Sequence, residues 1–331
     1  MDTIDIVVVG LGPMGQKTIR FSQERSGLRV VGAVDVNPAL HGRDVGEVAD
    51  LAPLGVPVSS SLAECLKTAN PKVAVFTTVS DMKRITPQIE GAIELGLPVV
   101  STCEELSYPW QTAPELSERL DRAAKAAGVA VLGTGVNPGF LMDSLPIFLT
   151  AVCQRVDTVK VHRLQNATFR RVPFQKKIGA GLSLEEFEAK KADGSLRHVG
   201  LTESMHMIAH SLGWKLDQTE DVITPVVAEQ EIKTEAMTIA PGFAAGVQQI
   251  GRGWEDGLER ITMIFKAAIG EPDSYDTVEI KGEPNITSTI PGGVNGDTAT
   301  CAITLNAVKT ILTAPAGLRT MADMPLVSCF G

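Results

Sequence analysis

The stretch Ile4-Asp5-Ile6-Val7-Val8-Val9-Gly10-Leu11-Gly12-Pro13-Met14-Gly15 decides the fold. Its first half is a near-continuous apolar run, the pattern of a parallel strand buried on both faces, and it leads straight into Gly10-x-Gly12-x-x-Gly15. A helix is predicted from about Met14 to Ser26, then a second apolar strand, Leu28 to Asp35, that ends on an acid. In such a βαβ unit the first glycine permits the tight turn, the second lets the backbone approach a pyrophosphate, and the third lets helix and strand pack closely. The helix start presents unpaired N–H groups and the positive end of its dipole to the phosphates. Asp35 lies 20 residues beyond Gly15, where an acid accepts a hydrogen bond from a ribose 2′-OH. A glycine-rich turn with no ligand is the alternative reading, and the agreement of strand, helix and acid speaks against it. Asp35 favours NAD because a carboxylate repels a 2′-phosphate, while Asn37, His41 and Arg43 nearby leave NADP open.

Outward from this unit the alternation continues. Strands are predicted at Val73 to Thr78, Pro98 to Thr102 and Val129 to Gly133, with helices at Ile85 to Leu95 and Pro114 to Ala127. This is the pattern of an α/β, doubly wound parallel sheet of Rossmann type over residues 1–135. After Asn137-Pro138-Gly139-Phe140 the rhythm changes. A helix near Met142 to Cys153 is followed by strands at Thr158 to Gln165, Val222 to Ala228, Met237 to Ala240 and Arg260 to Ala268. Few helices intervene, so residues 136–296 are expected to form a second α+β domain on a mixed or antiparallel sheet. Asp297 to Leu312 reads as a last helix with Asp297 as its N-cap, in a segment, 297–331, expected to return to the first domain.

Composition agrees with this reading. A chain of 331 residues suits about two domains. Thirty Lys and Arg against 39 Asp and Glu give a net charge of −9, which removes the basic footprint of a nucleic-acid binder. No apolar run reaches ~20 residues and no basic leader opens the chain, so neither a membrane span nor a signal peptide is expected, and a cytoplasmic location is. The 5 cysteines are scattered, without a C-x-x-C pair, and are expected to be reduced and mostly buried.

Ligands of a doubly wound sheet lie beyond the carboxyl ends of its strands. Thr77-Thr78, Ser101-Thr102-Cys103 and Asn137 are therefore expected around the nicotinamide, as Gly10, Gly12, Pro13, Met14 and Gly15 are around the pyrophosphate. Glu104-Glu105 leaves a strand end at the same place. One acid can act as a general base there and the other can open a helix, although carboxylates also favour helix starts for dipole reasons alone.

The N-terminal domain resembles that of dihydrodipicolinate reductases, and the whole chain resembles the 2,4-diaminopentanoate dehydrogenases and related NAD(P)-dependent amine dehydrogenases. Beyond the glycine loop, the resemblance is carried by Val100-Ser101-Thr102-Cys103-Glu104-Glu105-Leu106-Ser107-Tyr108-Pro109, Asn137-Pro138-Gly139-Phe140-Leu141-Met142-Asp143, Gln175-Lys176-Lys177-Ile178-Gly179-Ala180-Gly181 and Gly292-Gly293-Val294-Asn295-Gly296-Asp297. It implies oxidative deamination of a small amine to a ketone and ammonia with NAD or NADP, reversible as reductive amination, with Glu104 as the catalytic carboxylate. Substrate contacts are expected from Asn137, Pro138, Gly139 and Phe140, and from Phe169, Arg171 and Lys177 in the second domain, with the cleft between the domains as the active site. Phe169 to Gly181 carries no histidine, which departs from dihydrodipicolinate reductase itself and speaks against the lysine-biosynthetic activity.

The basic group Arg170, Arg171, Lys176 and Lys177 suits a substrate carboxylate, and a solvated basic strand is the alternative. His206 and His210 stand four apart without an H-E-x-x-H or a third ligand, so no metal is expected. A homodimer through the second domain is expected. The other functional readings are an imine or keto reductase on another small substrate, and a nicotinamide-binding sensor without turnover.

Overall fold

The computed structural model describes residues 3–170, 172–196 and 199–331. Strands and helices alternate at first: β1 (Ile4–Val9), α1 (Pro13–Gln23), β2 (Leu28–Val34), α2 (Val45–Val48), β3 (Val58–Ser59), α3 (Leu62–Cys65), β4 (Val73–Phe76), α4 (Met82–Glu94), β5 (Val99–Ser101), α5 (Pro114–Ala127) and β6 (Ala130–Gly133). Then follow α6 (Ser144–Leu149), β7 (Arg155–Asn166), α7 (Val172–Lys177), α8 (Leu184–Ala192), α9 (Leu201–Ser211), β8 (Gln218–Val227), β9 (Ile232–Lys233), β10 (Thr238–Ile239), β11 (Ala244–Glu255), β12 (Leu258–Ala268), β13 (Tyr275–Glu283) and β14 (Ile286–Pro291). The chain closes with α10 (Gly296–Ile311) and β15 (Gly317–Arg319). It divides into two compact units, one of residues 1–140 and 295–331, the other of residues 141–294.

In the first unit a seven-stranded sheet runs β15-β6-β5-β4-β1-β2-β3, parallel at every pair. The strand order reverses between β1 and β4, the switch point beyond which ligands of such sheets bind. The continuous apolar run of β1 follows from this architecture. Ile6 and Val8 pack with Ile19 of α1 and Leu305, Val308 and Ile311 of α10, while Val7 and Val9 join a second core with Ile85 and Ile89 of α4 and Leu120 of α5. Helices cover both faces, so Ile6 to Val9 are buried on either side, while Asp5 near the start of the strand pairs with Arg29.

α10 departs from its expected start. Its N-cap is Asn295, whose Oδ1 accepts Thr298 N–H at 3.1 Å, so Asp297 stands in the first turn rather than at the cap. Asparagine and aspartate cap about equally well, and sequence alone did not choose between them.

In the second unit six strands run β14-β13-β7-β12-β11-β8, with β7 and β12 parallel and the other pairs antiparallel. Alternation places Val159 and Val161 of β7 and Ile261, Met263 and Phe265 of β12 in the core. α9 lies against β11, where a Cβ on Gly251 would stand 3.0 Å from Leu201 and Met205. The strand expected at Met237 to Ala240 is only β10, paired with β9 in a separate two-stranded ribbon. Of the basic group, Lys176 and Lys177 lie in a helix, α7, and not in a strand. The helix expected from Met142 begins at Ser144, because Asp143 Oδ1 accepts the Ser144 N–H at 2.5 Å and caps it. No helix among the described residues is long and apolar enough to cross a membrane.

Candidate active site

β1 ends at Val9, and the chain turns through Gly10 with φ +90. A side chain there would stand 2.7 Å from Thr78 Cγ2, and one at Gly15 would stand 1.9 Å from the Gly10 carbonyl oxygen. Both positions therefore exclude a Cβ for reasons internal to the fold. Gly12 differs, since a Cβ there would meet nothing within 4 Å. Helix α1 begins with Pro13 at its first position, no side chain caps it, and its first turn carries no acid. Its N–H groups thus open onto free space at the positive end of the dipole, which fits an anionic pyrophosphate.

Asp35 follows β2 and is half-buried. Its Oδ2 accepts Leu11 N–H at 2.6 Å and its Oδ1 accepts Asn37 N–H at 2.8 Å, so the carboxylate ties the glycine turn to the tip of β2. A carboxylate has about four acceptor positions, which leaves two for a ribose diol. The next residue, Val36, is 88% exposed, an apolar side chain held in solvent beside Asp35. His41 Nε2 lies 2.9 Å from the Asp35 carbonyl oxygen, and Arg43 is exposed beyond it.

The tips of β4, β5 and β6 are joined to this turn. Thr77 Oγ1 donates to the Gly10 carbonyl at 2.7 Å, and Thr78 Oγ1 donates to Gln88 Oε1 at 2.9 Å. Thr102 N–H donates to the Phe76 carbonyl at 2.9 Å, and Thr134 N–H to that of Ser101 at 2.9 Å. Ser101 and Cys103 are buried; the Ser101 hydroxyl accepts Cys103 N–H at 3.1 Å. The Cys103 thiol packs in the core with Phe76 and Val99, and burial pushes its pKa well up, so it stays protonated and faces away from solvent.

A 3-10 turn, Glu104–Leu106, follows Cys103. Glu105 Oε2 accepts the N–H of Met82, the first residue of α4, at 2.8 Å. Glu104, also half-buried, forms no hydrogen bond and no ion pair through its carboxylate among the described residues. Beyond β6, Val136 N–H donates to Thr300 Oγ1 of α10 at 3.1 Å, and the Asn137-Pro138 peptide bond is cis. Asn137, Pro138 and Gly139 are buried, whereas Phe140 is 39% exposed.

The second unit holds the remaining expected residues. Phe169 is 91% exposed and Lys177 is exposed at the end of α7, while Arg171 lies outside the described residues. Arg170 stacks over Phe174 at 4.0 Å and donates to Gln165 Oε1 at 2.9 Å. Sequence reasoning missed Arg163, only 3% exposed, which lies 3.5 Å from the buried Asp276 carboxylate and donates through Nη2 to the Val294 carbonyl at 2.9 Å. Gln165 Nε2 donates to the same carbonyl at 3.1 Å. Burial outweighs pairing for both charges, lowering the Arg163 pKa and raising that of Asp276. The signal was present in the strand itself, because Arg163 and Gln165 fall in phase with Val159 and Val161 and so had to lie on the covered face. Among the described residues no group of three His, Cys, Asp or Glu could hold a metal ion.

Comparison with known proteins agrees along the whole chain. A family model described as the 2,4-diaminopentanoate dehydrogenase C-terminal domain matches residues 140–331, and one for the dihydrodipicolinate reductase N-terminus matches residues 4–103. The 2,4-diaminopentanoate dehydrogenase of Acetoanaerobium sticklandii is 31% identical, over 98% of this chain and 94% of its own. An amine dehydrogenase of Streptomyces virginiae is 25% identical, over 99% and 98%. The solved structure of an amine dehydrogenase from Mycobacterium smegmatis matches with a TM-score of 0.84 at 26% identity, covering 98% of this chain and 97% of that one.

Proposed function

The chain belongs to the 2,4-diaminopentanoate dehydrogenase family, and we propose that it is an NAD(P)-dependent amine dehydrogenase. Its substrate is a small primary amine, 2,4-diaminopentanoate or a close analogue, converted to a ketone and ammonia, and the reaction runs in reverse as reductive amination. The observation that carries this reading is the division between two neighbouring acids: Glu105 is held by Met82 N–H, while the Glu104 carboxylate has no hydrogen bond or ion pair among the described residues.

The uncapped start of α1 with Gly10, Gly12, Pro13, Met14 and Gly15 would hold the pyrophosphate, and Asp35 the adenine ribose, which favours NAD. Thr77, Thr78, Ser101, Thr102, Cys103 and Asn137 would surround the nicotinamide, Ser101 and Cys103 through their backbone because their side chains are buried. When bound, the nicotinamide supplies the hydride acceptor. Glu104 takes a proton from the substrate ammonium and frees the nitrogen lone pair that expels hydride from the adjacent carbon. Having released that proton to solvent, the same carboxylate takes one from the water that adds to the iminium. It returns this proton to nitrogen and takes up the hydroxyl proton as the C–N bond breaks, leaving ketone and ammonia.

Substrate contacts are assigned to Asn137, Pro138, Gly139, Phe140, Phe169, Arg171 and Lys177. The second unit is assigned to substrate binding and to a homodimer, which sedimentation of the purified protein checks.

The function is tested by incubating the protein with NAD+ or NADP+ and a panel of 2,4-diaminopentanoate, simple amines and amino acids while following reduced-cofactor absorbance. Turnover of an amine, lost in Glu104→Gln with cofactor binding retained, is the expected result. Cofactor binding without turnover of any amine or imine would favour a sensor, and full activity of Glu104→Gln would remove Glu104 from the mechanism.

A further inference from the structure

We infer that Glu105 is a positioning residue: it ties the turn carrying Glu104 to the loop after β4, and thereby sets where the Glu104 carboxylate stands relative to the glycine turn. The inference rests on the amine dehydrogenase reading, since the role of Glu104 belongs to it.

Two bonds make the tie. Glu105 Oε2 accepts Met82 N–H at 2.8 Å, and Glu105 N–H donates to the Ser80 carbonyl at 3.2 Å. Ser80 and Met82 flank Asp81, the N-cap of α4, whose Oδ1 accepts Arg84 N–H at 2.9 Å. The far end of the tie is firm, because the Met82 side chain is buried in the core with Ile85 and Ile89. The same loop begins at Thr77, whose N–H donates to the Val9 carbonyl at 2.9 Å and whose hydroxyl donates to that of Gly10 at 2.7 Å. A short path of direct hydrogen bonds and one loop therefore connects the glycine turn to Glu105.

The fold gains from the tie as well, since a carboxylate meets one of the unpaired N–H groups and the positive end of the dipole at the start of α4. The consequence for its neighbour is geometric. In a 3-10 turn successive side chains project about 120° apart, so anchoring Glu105 against α4 directs Glu104 away from it. Of these two bonds, removing the Glu105 carboxylate leaves only the backbone bond to Ser80 and so loosens the turn, and a displacement of about 1 Å in a reacting group costs on the order of 100-fold in rate.

Glu105→Ala is expected to lower kcat for amine oxidation by about 10- to 100-fold, with the amine KM and the Kd for the dinucleotide unchanged. Glu105→Gln, whose amide oxygen accepts the same N–H, is expected to retain most of the wild-type kcat. Glu105→Asp, which keeps the charge but loses the reach, is expected to behave as the alanine variant does, and it replaces that variant if alanine fails to fold. A merely structural role would lower the melting temperature and leave kcat per folded enzyme alone. Wild-type kcat in both the alanine and aspartate variants, or a glutamine variant as impaired as they are, overturns the inference. Hydrogen exchange supplies a readout without turnover: peptides spanning 78–84 and 101–108 are expected to lose protection together in Glu105→Ala and to keep it in Glu105→Gln. Unchanged exchange in Glu105→Ala refutes the tie. If the wild type turns over no amine, the amine dehydrogenase reading has failed, and the exchange result still decides whether Glu105 joins the two loops.

Discussion

Replacing Gly12 by alanine separates the ligand from the fold. Gly12 has φ −66 and ψ −173, a conformation open to any residue, and a Cβ there meets nothing within 4 Å. The turn itself has no need of this glycine. A glycine-to-alanine change at a compatible position stabilises by about 0.4–1 kcal/mol, chiefly by restricting the unfolded chain. Gly12→Ala is therefore expected to melt at or slightly above the wild-type temperature. Its binding should behave in the opposite way. If the open space before α1 is where the pyrophosphate lies, the new methyl stands where the anion must approach the backbone. Misplacing that contact by a fraction of an ångström costs about 1.4–2.8 kcal/mol, or roughly 10- to 100-fold in Kd. Calorimetric titration of NAD+ and NADP+ into both proteins reads the loss, and a thermal scan of the same samples reads the stability. Gly15→Ala is the counterpart, because its Cβ would stand 1.9 Å from the Gly10 carbonyl oxygen; overpacking of that kind is expected to cost about 1–3 kcal/mol before any ligand is added. Wild-type affinity for both dinucleotides in a stable Gly12→Ala protein would refute the assignment of the glycine turn to the pyrophosphate.

Arg163→Met strands the buried Asp276 carboxylate and is expected to cost about 3–5 kcal/mol in denaturant unfolding. Adding Asp276→Asn removes the charge and keeps an acceptor for Val294 N–H, now at 2.8 Å, so the double variant should be more stable than Arg163→Met alone; strict additivity would refute the pairing. One contribution to the pH dependence of stability comes from His206, whose pKa burial alone holds below its ordinary value of 6.5, as burial also lowers that of His162. The folded protein then binds fewer protons than the unfolded chain, so the contribution of His206 is present above pH 6.5 and is lost as pH falls through the lowered folded value. Unfolding followed from pH 7.5 down to about 5 should show a shallower acid loss for His206→Gln than for the wild type, and equal slopes would exclude His206 as a source.

The first unit was legible because its signals are local. A buried parallel strand needs a continuous apolar run, a close strand-to-helix packing needs glycine, and both are written within Ile4–Gly15. The predicted helix Pro114 to Ala127 matches α5 in full for the same kind of reason, with proline at its first position and Gly128 in the left-handed conformation at its end. The second unit was harder. β11 carries Gly246, Gly251 and Gly253, which weaken a strand pattern read residue by residue. Gly251 makes sense only once α9 is laid against the strand, a contact between segments about 50 residues apart in Leu201 and Gly251.

The site divides along the same line. Glu104 and Glu105 are the same residue type, adjacent, and both half-buried, so neither composition nor spacing distinguishes them. Among what separates them is an N–H donated to Glu105 by Met82, from 23 positions earlier in the chain. Arg163 repeats the case: its partner carbonyl at Val294 lies 131 positions away, and only the phase of β7 announced that a charge would be buried there. An acid held by a helix start is already spent on the fold, because moving it would leave a backbone donor without an acceptor. An acid at the same strand tips that the fold does not use remains free to exchange a proton with a ligand. By that reasoning the chemistry we propose falls to Glu104 because Glu105 is committed, and under that proposal the two acids form one device in which the structural member aims the reactive one.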